Sequence, residues 1–344
     1  MAEMTSAWLV LNYDCNNRCR WCYAQKMLGV RPPMTPKTVV DALDLLAGMG
    51  ISDCVLIGGE PTVYPDLPMV IVECLKRGID PQLVTNGRRL SDAGYLEQLA
   101  NSGLMKVCVS IESLDRKTHD YITRRPGSFA QTKAGMQNVA DQGLFLSSAT
   151  TISGNNMLEV PDMVPSLRDL HVQSAGFNIA TPNVFDGVCT TNVDIPEAVA
   201  AMSKIISAGR DAQIKIHFAA SVPLCMAEDK GVVDSHFRGS CFVYYGSGIV
   251  IDTDGSIIPC VHWVGADIDS IYREDGQPKT VEEFLLNWND GAPAHFREML
   301  WKYPAGSCVE CSRWNEGECV GGCPLMRIDR DLSVEIDAIN GQRR

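Results

Sequence analysis

Six times in its first two thirds, this chain passes through a short β-rich run and then a longer segment of helical periodicity. The predicted strands span 7–13, 54–58, 81–85, 106–111, 145–152 and 175–180, and each ends in a polar or glycine signal. Between them, TPKTVVDALDLLAGMG spaces its apolar residues at i, i+3, i+4 and i+7 and closes on Gly50. DLPMVIVECLKRG and DAGYLEQLANSG behave alike, each closing on glycine as helix ends often do. Strands alternating with helices form a parallel sheet with right-handed crossovers. Six such units predict an incomplete (β/α)6 barrel of the TIM-like kind; a doubly wound open sheet is the competing shape. Either way the site belongs at the carboxyl ends of the strands.

The character changes near Ile214. IKIHFAASVPLCM reads as a last strand and a bridge, and beyond it the chain is richer in Cys, Trp and Gly. GIVIDTDGSIIPC reads as two short strands joined by a hairpin turn at TDGS. The expected organisation is therefore an α/β domain over 1–225 and a small cysteine-rich α+β domain over 226–344. A length of 344 residues suits two domains. With 45% apolar and 21% charged residues, the composition is that of a globular protein. A net charge of −12 argues against nucleic acid or an anionic membrane as partner. No apolar run is long enough for a membrane span, and the N-terminus lacks a basic signal-peptide region, so the expected location is the cytoplasm. There the 14 cysteines should stay reduced, and clustered thiols point to metal or redox chemistry.

Three of those cysteines stand together directly after the first strand, as Cys15-x3-Cys19-x2-Cys22. A structural zinc site usually takes four ligands from paired elements, and the nearest further thiol, Cys54, lies inside a strand. Three thiolates can instead hold three corners of a four-iron cluster and leave the fourth iron open for a substrate or cofactor. Chance thiols and zinc remain as alternatives on spacing alone.

This loop, with Trp21 before its third cysteine and Tyr23 after it, resembles the signature of the radical S-adenosylmethionine (radical SAM) enzymes. The resemblance implies a 4Fe-4S cluster on Cys15, Cys19 and Cys22 whose open iron chelates S-adenosylmethionine. The cofactor is then cleaved to a 5′-deoxyadenosyl radical that abstracts hydrogen from an unactivated C–H. GGEP, Gly58-Gly59-Glu60-Pro61, follows the second strand and resembles the loop that meets the cofactor's amino group; its glycines permit close backbone approach. TNG, with Thr85 and Asn86, ends the third strand and resembles another cofactor-side loop. SIES, from Ser110, ends the fourth, where relatives often carry Ser-x-Asp near the ribose; Glu112 departs from that pattern. In RRPGSF, Arg125 in preference to Arg124 is the candidate partner of the cofactor carboxylate, with a surface arginine as the alternative. Asn155 or Asn156 after the fifth strand could reach the site or serve a turn.

The C-terminal cysteines, Cys241-x13-Gly255-x4-Cys260 and Cys308-x2-Cys311-x7-Cys319-x3-Cys323-Pro324, resemble the SPASM extension of the same superfamily. A zinc ribbon is the alternative. The resemblance implies one auxiliary cluster on Cys241, Cys260 and Cys323 and a second on Cys308, Cys311 and Cys319. The pattern's seventh cysteine is absent, and the gap before Cys319 is longer than usual. A twitch domain, with one cluster on Cys241, Cys260, Cys308 and Cys311, is the competing arrangement; two clusters are preferred. Oxygen ligands could come from Asp329, Asp331 or Asp337. Of the other thiols, Cys54, Cys74 and Cys108 are expected in the core, and Cys189 lies in a polar loop. Cys225, at the bridge, is a candidate hydrogen donor or extra ligand, with an inert buried thiol as the alternative.

The resemblance implies an oxidoreductase that crosslinks, oxidises or epimerises a ribosomally made peptide. A dehydrogenase or epimerase of a small molecule such as an aminoglycoside is the rival enzyme, and a zinc or iron–sulfur scaffold or electron carrier the non-enzymatic one. The expected partners are the peptide or small molecule and a reductant such as flavodoxin or ferredoxin. The first strand begins almost at the N-terminus, so a peptide substrate is expected to need a separate peptide-recognition protein or to dock directly.

Overall fold

The computed structural model describes residues 4–181, 193–219, 221–226, 241–304 and 306–327. Its strands are β1 (Ser6–Val10), β2 (Asp53–Ile57), β3 (Asp80–Thr85), β4 (Lys106–Ser110), β5 (Phe145–Ile152), β6 (Ser174–Ile179), β7 (Lys215–Phe218), β8 (Gly248–Ile251), β9 (Ser256–Ile258) and β10 (Asp269–Ser270). They form one sheet in the order β10-β9-β8-β1-β2-β3-β4-β5-β6-β7. From β8 to β7 every pairing is parallel; β9 and β10 add on antiparallel. The order of β1 to β7 never reverses, whereas a doubly wound sheet reverses at a switch point. The edges β7 and β10 do not pair with each other. This is the open, partial barrel of the first alternative.

Local sequence explains the crossover helices. In α1 (Pro36–Gly48), Pro36 occupies the first turn, where its missing N–H is not needed, and the Thr35 hydroxyl accepts from the Thr38 main-chain N–H. The helices α2 (Leu67–Lys76) and α3 (Ala93–Asn101) follow, the latter capped by Asp92, which accepts from the N–H groups of Gly94 and Tyr95. Then come α4 (Arg116–Thr123), α5 (Ser128–Asp141), α6 (Val160–Leu167) and α7 (Ile195–Ala212). Their apolar stripes, among them Val39, Leu43, Leu46, Val70, Leu96, Leu99 and Met136, are fully buried against Leu9, Leu56, Leu83, Val107 and Val109 of the sheet. Burial of each such side chain stabilises by about 1.5–3 kcal/mol. Strand side chains alternate. The other set therefore faces the concave side: Val55 and Ile57, Gln82 and Val84, Cys108 and Ser110, Ala149 and Thr151, Gly176 and Asn178. None of the described helices is long and apolar enough to cross a membrane.

The sheet does not stop with the last of the β-then-α units. All four residues of β8 are buried, and they pair parallel with β1 from Ser6↔Gly248 to Leu9↔Ile251. This covers the β1 edge, which would otherwise present unpaired backbone groups. The join is tied by buried polar groups. Tyr13 donates its hydroxyl to Asp252 at 2.7 Å, and Arg31 reaches the other Asp252 oxygen at 2.6 Å and Asp267 at 3.0 Å. Helices α8 (Val281–Asp290) and α9 (Ala292–Trp301) pack on one another and close over Trp263, whose ring meets Phe296 edge-on at 5.1 Å.

Candidate functional site

The cysteine loop leaves β1 and crosses the carboxyl end of the sheet. Two backbone hydrogen bonds pin it to the end of α4, from Arg18 to Thr123 and from Arg20 to Ile122, each 3.0 Å. The Arg18 guanidinium folds back on the carbonyls of Cys15 and Asn17, at 2.5 and 2.7 Å. Arg20 stacks over the Tyr121 ring, 3.7 Å from its centroid. Cys15, Cys19 and Cys22 all line the same cavity and lie within electrostatic reach of one another. Burial pushes the Cys15 thiol up to about 12, and raises Cys19 and Cys22 as well. Buried thiols of this kind become thiolates only when positive charge arrives among them, which ligated iron supplies. The Asn17 main-chain N–H already points at the Cys15 sulfur, 3.3 Å away. Among the described residues, no three His, Cys, Asp or Glu side chains form a ready cage for a single metal ion. The donor set, three thiols framing one cavity with an N–H aimed at sulfur, fits a thiolate-held iron–sulfur cluster.

GGEP is locked to this loop. The Gly59 N–H donates to the Asn12 carbonyl and the Glu60 N–H to the Asp14 carbonyl, both at 2.8 Å. A Cβ on Gly58 would collide with the Asn12 carbonyl, and one on Gly59 with those of Tyr13 and Asp14. These glycines are required by the neighbouring chain itself. Glu60, 1% exposed, spends both carboxylate oxygens on protein donors. One accepts from the Thr62 N–H (3.0 Å), the Thr62 hydroxyl (2.6 Å) and the Thr85 hydroxyl (2.5 Å); the other accepts from the Asn86 N–H (2.7 Å). Burial raises its pKa and these donors oppose the rise. Glu60 thus braces GGEP against TNG. Pro61 is buried and opens the short turn that follows; it is not among the cavity-lining residues.

Asn86 continues the brace. Its amide donates to Asn16 Oδ1 at 2.6 Å, beside Cys15. Arg88 holds the Asn16 carbonyl at 2.5 Å and Asn17 Oδ1 at 2.9 Å, clamping the cysteine loop from outside. Arg88 carries a role that the sequence reading missed.

Glu112 is 2% exposed and lines the cavity, and its carboxylate accepts from the Thr151 N–H at 3.1 Å. Burial pushes its carboxyl up to about 8, so it holds a proton at neutral pH. Asn156 uses its amide on the surrounding turn. It donates to the Glu112 and Thr151 carbonyls and accepts from the Ser153 N–H and hydroxyl. Its role is that of a turn bridge. Ser110 and Trp21 line the cavity, and the Trp21 indole N–H is buried without a hydrogen-bond partner among the described residues.

Three expectations are corrected. Arg125 is exposed and absent from the cavity lining, because its segment wraps around Asp120, which accepts from the Gly127 and Phe129 N–H groups and the Ser128 hydroxyl. Cys225 is exposed, not buried, and does not line the cavity where a hydrogen donor would stand. Cys108 does, because it shares the concave face with Ser110. Cys54 and Cys74 are core residues, as expected.

The C-terminal thiols fall into two neighbourhoods. Cys241, Cys260 and Cys323 act electrostatically on one another, while Cys308, Cys311 and Cys319 form the surroundings of Cys225. This grouping differs from the one-cluster arrangement, which takes two thiols from each. The first group adjoins the cavity through His262, 4.0 Å from the Cys260 sulfur, and Tyr23, whose ring centroid is 5.2 Å from that of His262. Both residues line the cavity, and burial lowers His262 to about 4 and keeps it neutral. Cys189, Asp329, Asp331 and Asp337 lie outside the described residues. The cavity measures about 380 Å³, within the range for small-molecule and cofactor sites.

The model of the Radical SAM superfamily matches residues 9–167. The antilisterial bacteriocin subtilosin biosynthesis protein AlbA of Bacillus subtilis is 27% identical over 170 residues, covering 49% of this chain and 38% of that protein. The sporulation killing factor maturation protein SkfB of the same organism is 24% identical over 196 residues, covering 56% and 47%. This chain spans 38% to 52% of the first curated relatives it matches. Streptococcus suis SuiB bound to S-adenosylmethionine superposes with a TM-score of 0.70 at 16% identity, over 94% of this chain and 73% of that one. AnSMEcpe with bound AdoMet and Cp18Cys peptide gives 0.71 at 15% identity, over 98% and 99%. At such identities the likeness is one of fold.

Proposed function

Residues 9–167 make this chain a member of the radical SAM superfamily, and from that premise we propose that it cleaves S-adenosylmethionine reductively and abstracts hydrogen from a ribosomally made peptide. The observation that carries the reading is the convergence of Cys15, Cys19 and Cys22 with GGEP, TNG and SIES around one cavity at the carboxyl ends of β1 to β4. Cys15, Cys19 and Cys22 would hold a four-iron cluster, which supplies the electron for cofactor cleavage and an open iron for its methionine end. The chain's own residues orient and exclude. Glu60, Asn86 and Arg88 fix the loops around the cofactor, and the concave faces of β2 to β6 keep water from the reacting carbon. Protonated Glu112 would offer a hydrogen-bond donor towards the cofactor ribose.

The preference for a peptide draws support from relatives. AlbA and SkfB carry names of bacteriocin biosynthesis and killing-factor maturation, and two fold neighbours were solved with peptides, SuiB with the precursor SuiA and anSMEcpe with Cp18Cys. Residues 226–344 would then form an auxiliary-cluster domain, with one cluster on Cys241, Cys260 and Cys323 and another on Cys308, Cys311 and Cys319. A reductant such as flavodoxin would feed them. The test is anaerobic incubation of reduced, reconstituted protein with S-adenosylmethionine and a panel of precursor peptides, read by mass spectrometry. The expected result is 5′-deoxyadenosine together with a peptide that has lost hydrogen or changed a stereocentre. Cofactor cleavage with every peptide left intact would overturn the peptide assignment.

A further inference from the structure

Two auxiliary four-iron clusters offer eight corners to protein ligands, and the six C-terminal thiols fill only six. The bridge after β7 brings a further thiol to them. Cys225 sits in the turn Leu224–Met226, closed by the Met226 N–H on the Pro223 carbonyl at 3.1 Å. That bridge is seated on the segment after Cys319. The Cys323 N–H donates to the Ser221 carbonyl at 3.0 Å. Gly322 has φ +94°, and a Cβ there would strike the Pro223 ring. One residue earlier, the Gly321 N–H points at the Cys319 sulfur, 3.4 Å away. Ser221 keeps a buried hydroxyl with no hydrogen-bond partner among the described residues. The thiols whose fields reach Cys225 are Cys308, Cys319 and Cys311. Cys308 and Cys319 are each 7% exposed, Cys311 is half-buried and Cys225 is exposed.

We propose that Cys225 supplies the fourth thiolate of the second auxiliary cluster, completing Cys308, Cys311 and Cys319 from the bridge between the barrel and the C-terminal region. The inference rests on the two-cluster reading of the C-terminal thiols. Each thiol gives up its proton as it takes iron. Here the last ligand comes from before the trio in the chain. It leaves Cys241, Cys260 and Cys323 with the one open auxiliary corner, next to His262 and the cavity. It also ties the barrel's last strand to a cluster, so iron loading would stiffen the bridge.

The test uses the full chain with Cys15, Cys19 and Cys22 all replaced by alanine, so that only auxiliary iron remains. Apo and anaerobically reconstituted samples are alkylated briefly and the labelled cysteines read by mass spectrometry. Cys225 should label readily in the apo chain and at least tenfold more slowly after loading, in step with Cys308, Cys311 and Cys319. Cys225 labelling at its apo rate while those three are protected would overturn the proposal. Adding Cys225→Ala should open a second iron corner. Mild oxidation should then double the three-iron EPR signal relative to the parent, or the iron should fall from about eight to about four. Unchanged iron and unchanged signal would again reject it. A parent variant that binds only about four irons refutes the two-cluster reading and Cys225 with it; about eight irons with an unprotected Cys225 refutes Cys225 alone.

Discussion

Glu60 offers the sharpest test of how the loops are held, because a brace and a direct cofactor ligand respond differently to the same change. In Glu60→Gln the amide oxygen can keep the Thr62 and Thr85 donors. The amide nitrogen then faces the Asn86 N–H, donor against donor, where the carboxylate accepted at 2.7 Å. The loss is one charge-assisted hydrogen bond and one N–H left unsatisfied in a buried place, together about 2–4 kcal/mol. Removing a buried charge returns part of that, since burial already raises the Glu60 pKa. The expected net cost is about 2 kcal/mol, roughly a thirtyfold change in the folding equilibrium. Urea denaturation of the apo protein under anaerobic conditions reads it directly. Since the same brace positions Gly58, Gly59 and Asn86, cofactor affinity of the reconstituted protein should fall about tenfold, by about 1.4 kcal/mol. A ligand role alone would weaken binding and leave the apo stability untouched. An apo chain within about 0.5 kcal/mol of wild type, the ordinary scatter of neutral substitutions, would refute the brace.

Burial lowers His119 to about 4, so the unfolded chain takes up a proton on acidification before the fold does. The sign follows: its stabilising contribution is present above its ordinary pKa of 6.5 and is lost as pH falls towards 4. That amounts to about 2 kcal/mol between pH 7.5 and pH 5, measured as the difference in denaturation slopes between wild type and His119→Gln; equal slopes would count against it. Asp252→Asn should cost about 2 kcal/mol through its pair with Arg31, and a thermal melt that is unshifted or raised would show that the join between β1 and β8 does not depend on the pair. Arg88→Leu should free the cysteine loop, so that a chelator strips iron from the Cys15 site at least threefold faster while auxiliary iron leaves at its usual rate. Identical release from both sites would remove Arg88 from the clamp.

The barrel was legible because its signals are local. Period-2 runs, period-3.6 stripes and glycine stops repeat in order, and neighbours in sequence became neighbours in the sheet. The pairing of β8 with β1 was not legible, because GIVI reads as a strand but nothing local names a partner more than 200 residues away. The parity of Cys108 was readable and was overlooked. Val107 and Val109 face the helices, so the residue between them faces the cavity with Ser110. GGEP announced itself, yet its carboxylate turned out to serve neighbouring donors, which spacing does not reveal. The same limit misled the choice among arginines. Arg88 and Arg125 both follow a site loop in polar sequence, and only the chain path sends one onto Asn16 and the other to the surface.

The central claim is that Cys15, Cys19 and Cys22 form the centre that cleaves S-adenosylmethionine. Single-turnover release of 5′-deoxyadenosine from anaerobic, dithionite-reduced protein tests it most directly, beside the variant with all three replaced by alanine. The account predicts formation of 5′-deoxyadenosine by the wild-type chain. In the variant the product should be absent and the iron lower by about four per chain, with the auxiliary iron retained. Release of 5′-deoxyadenosine by the triple variant at the wild-type rate would contradict it.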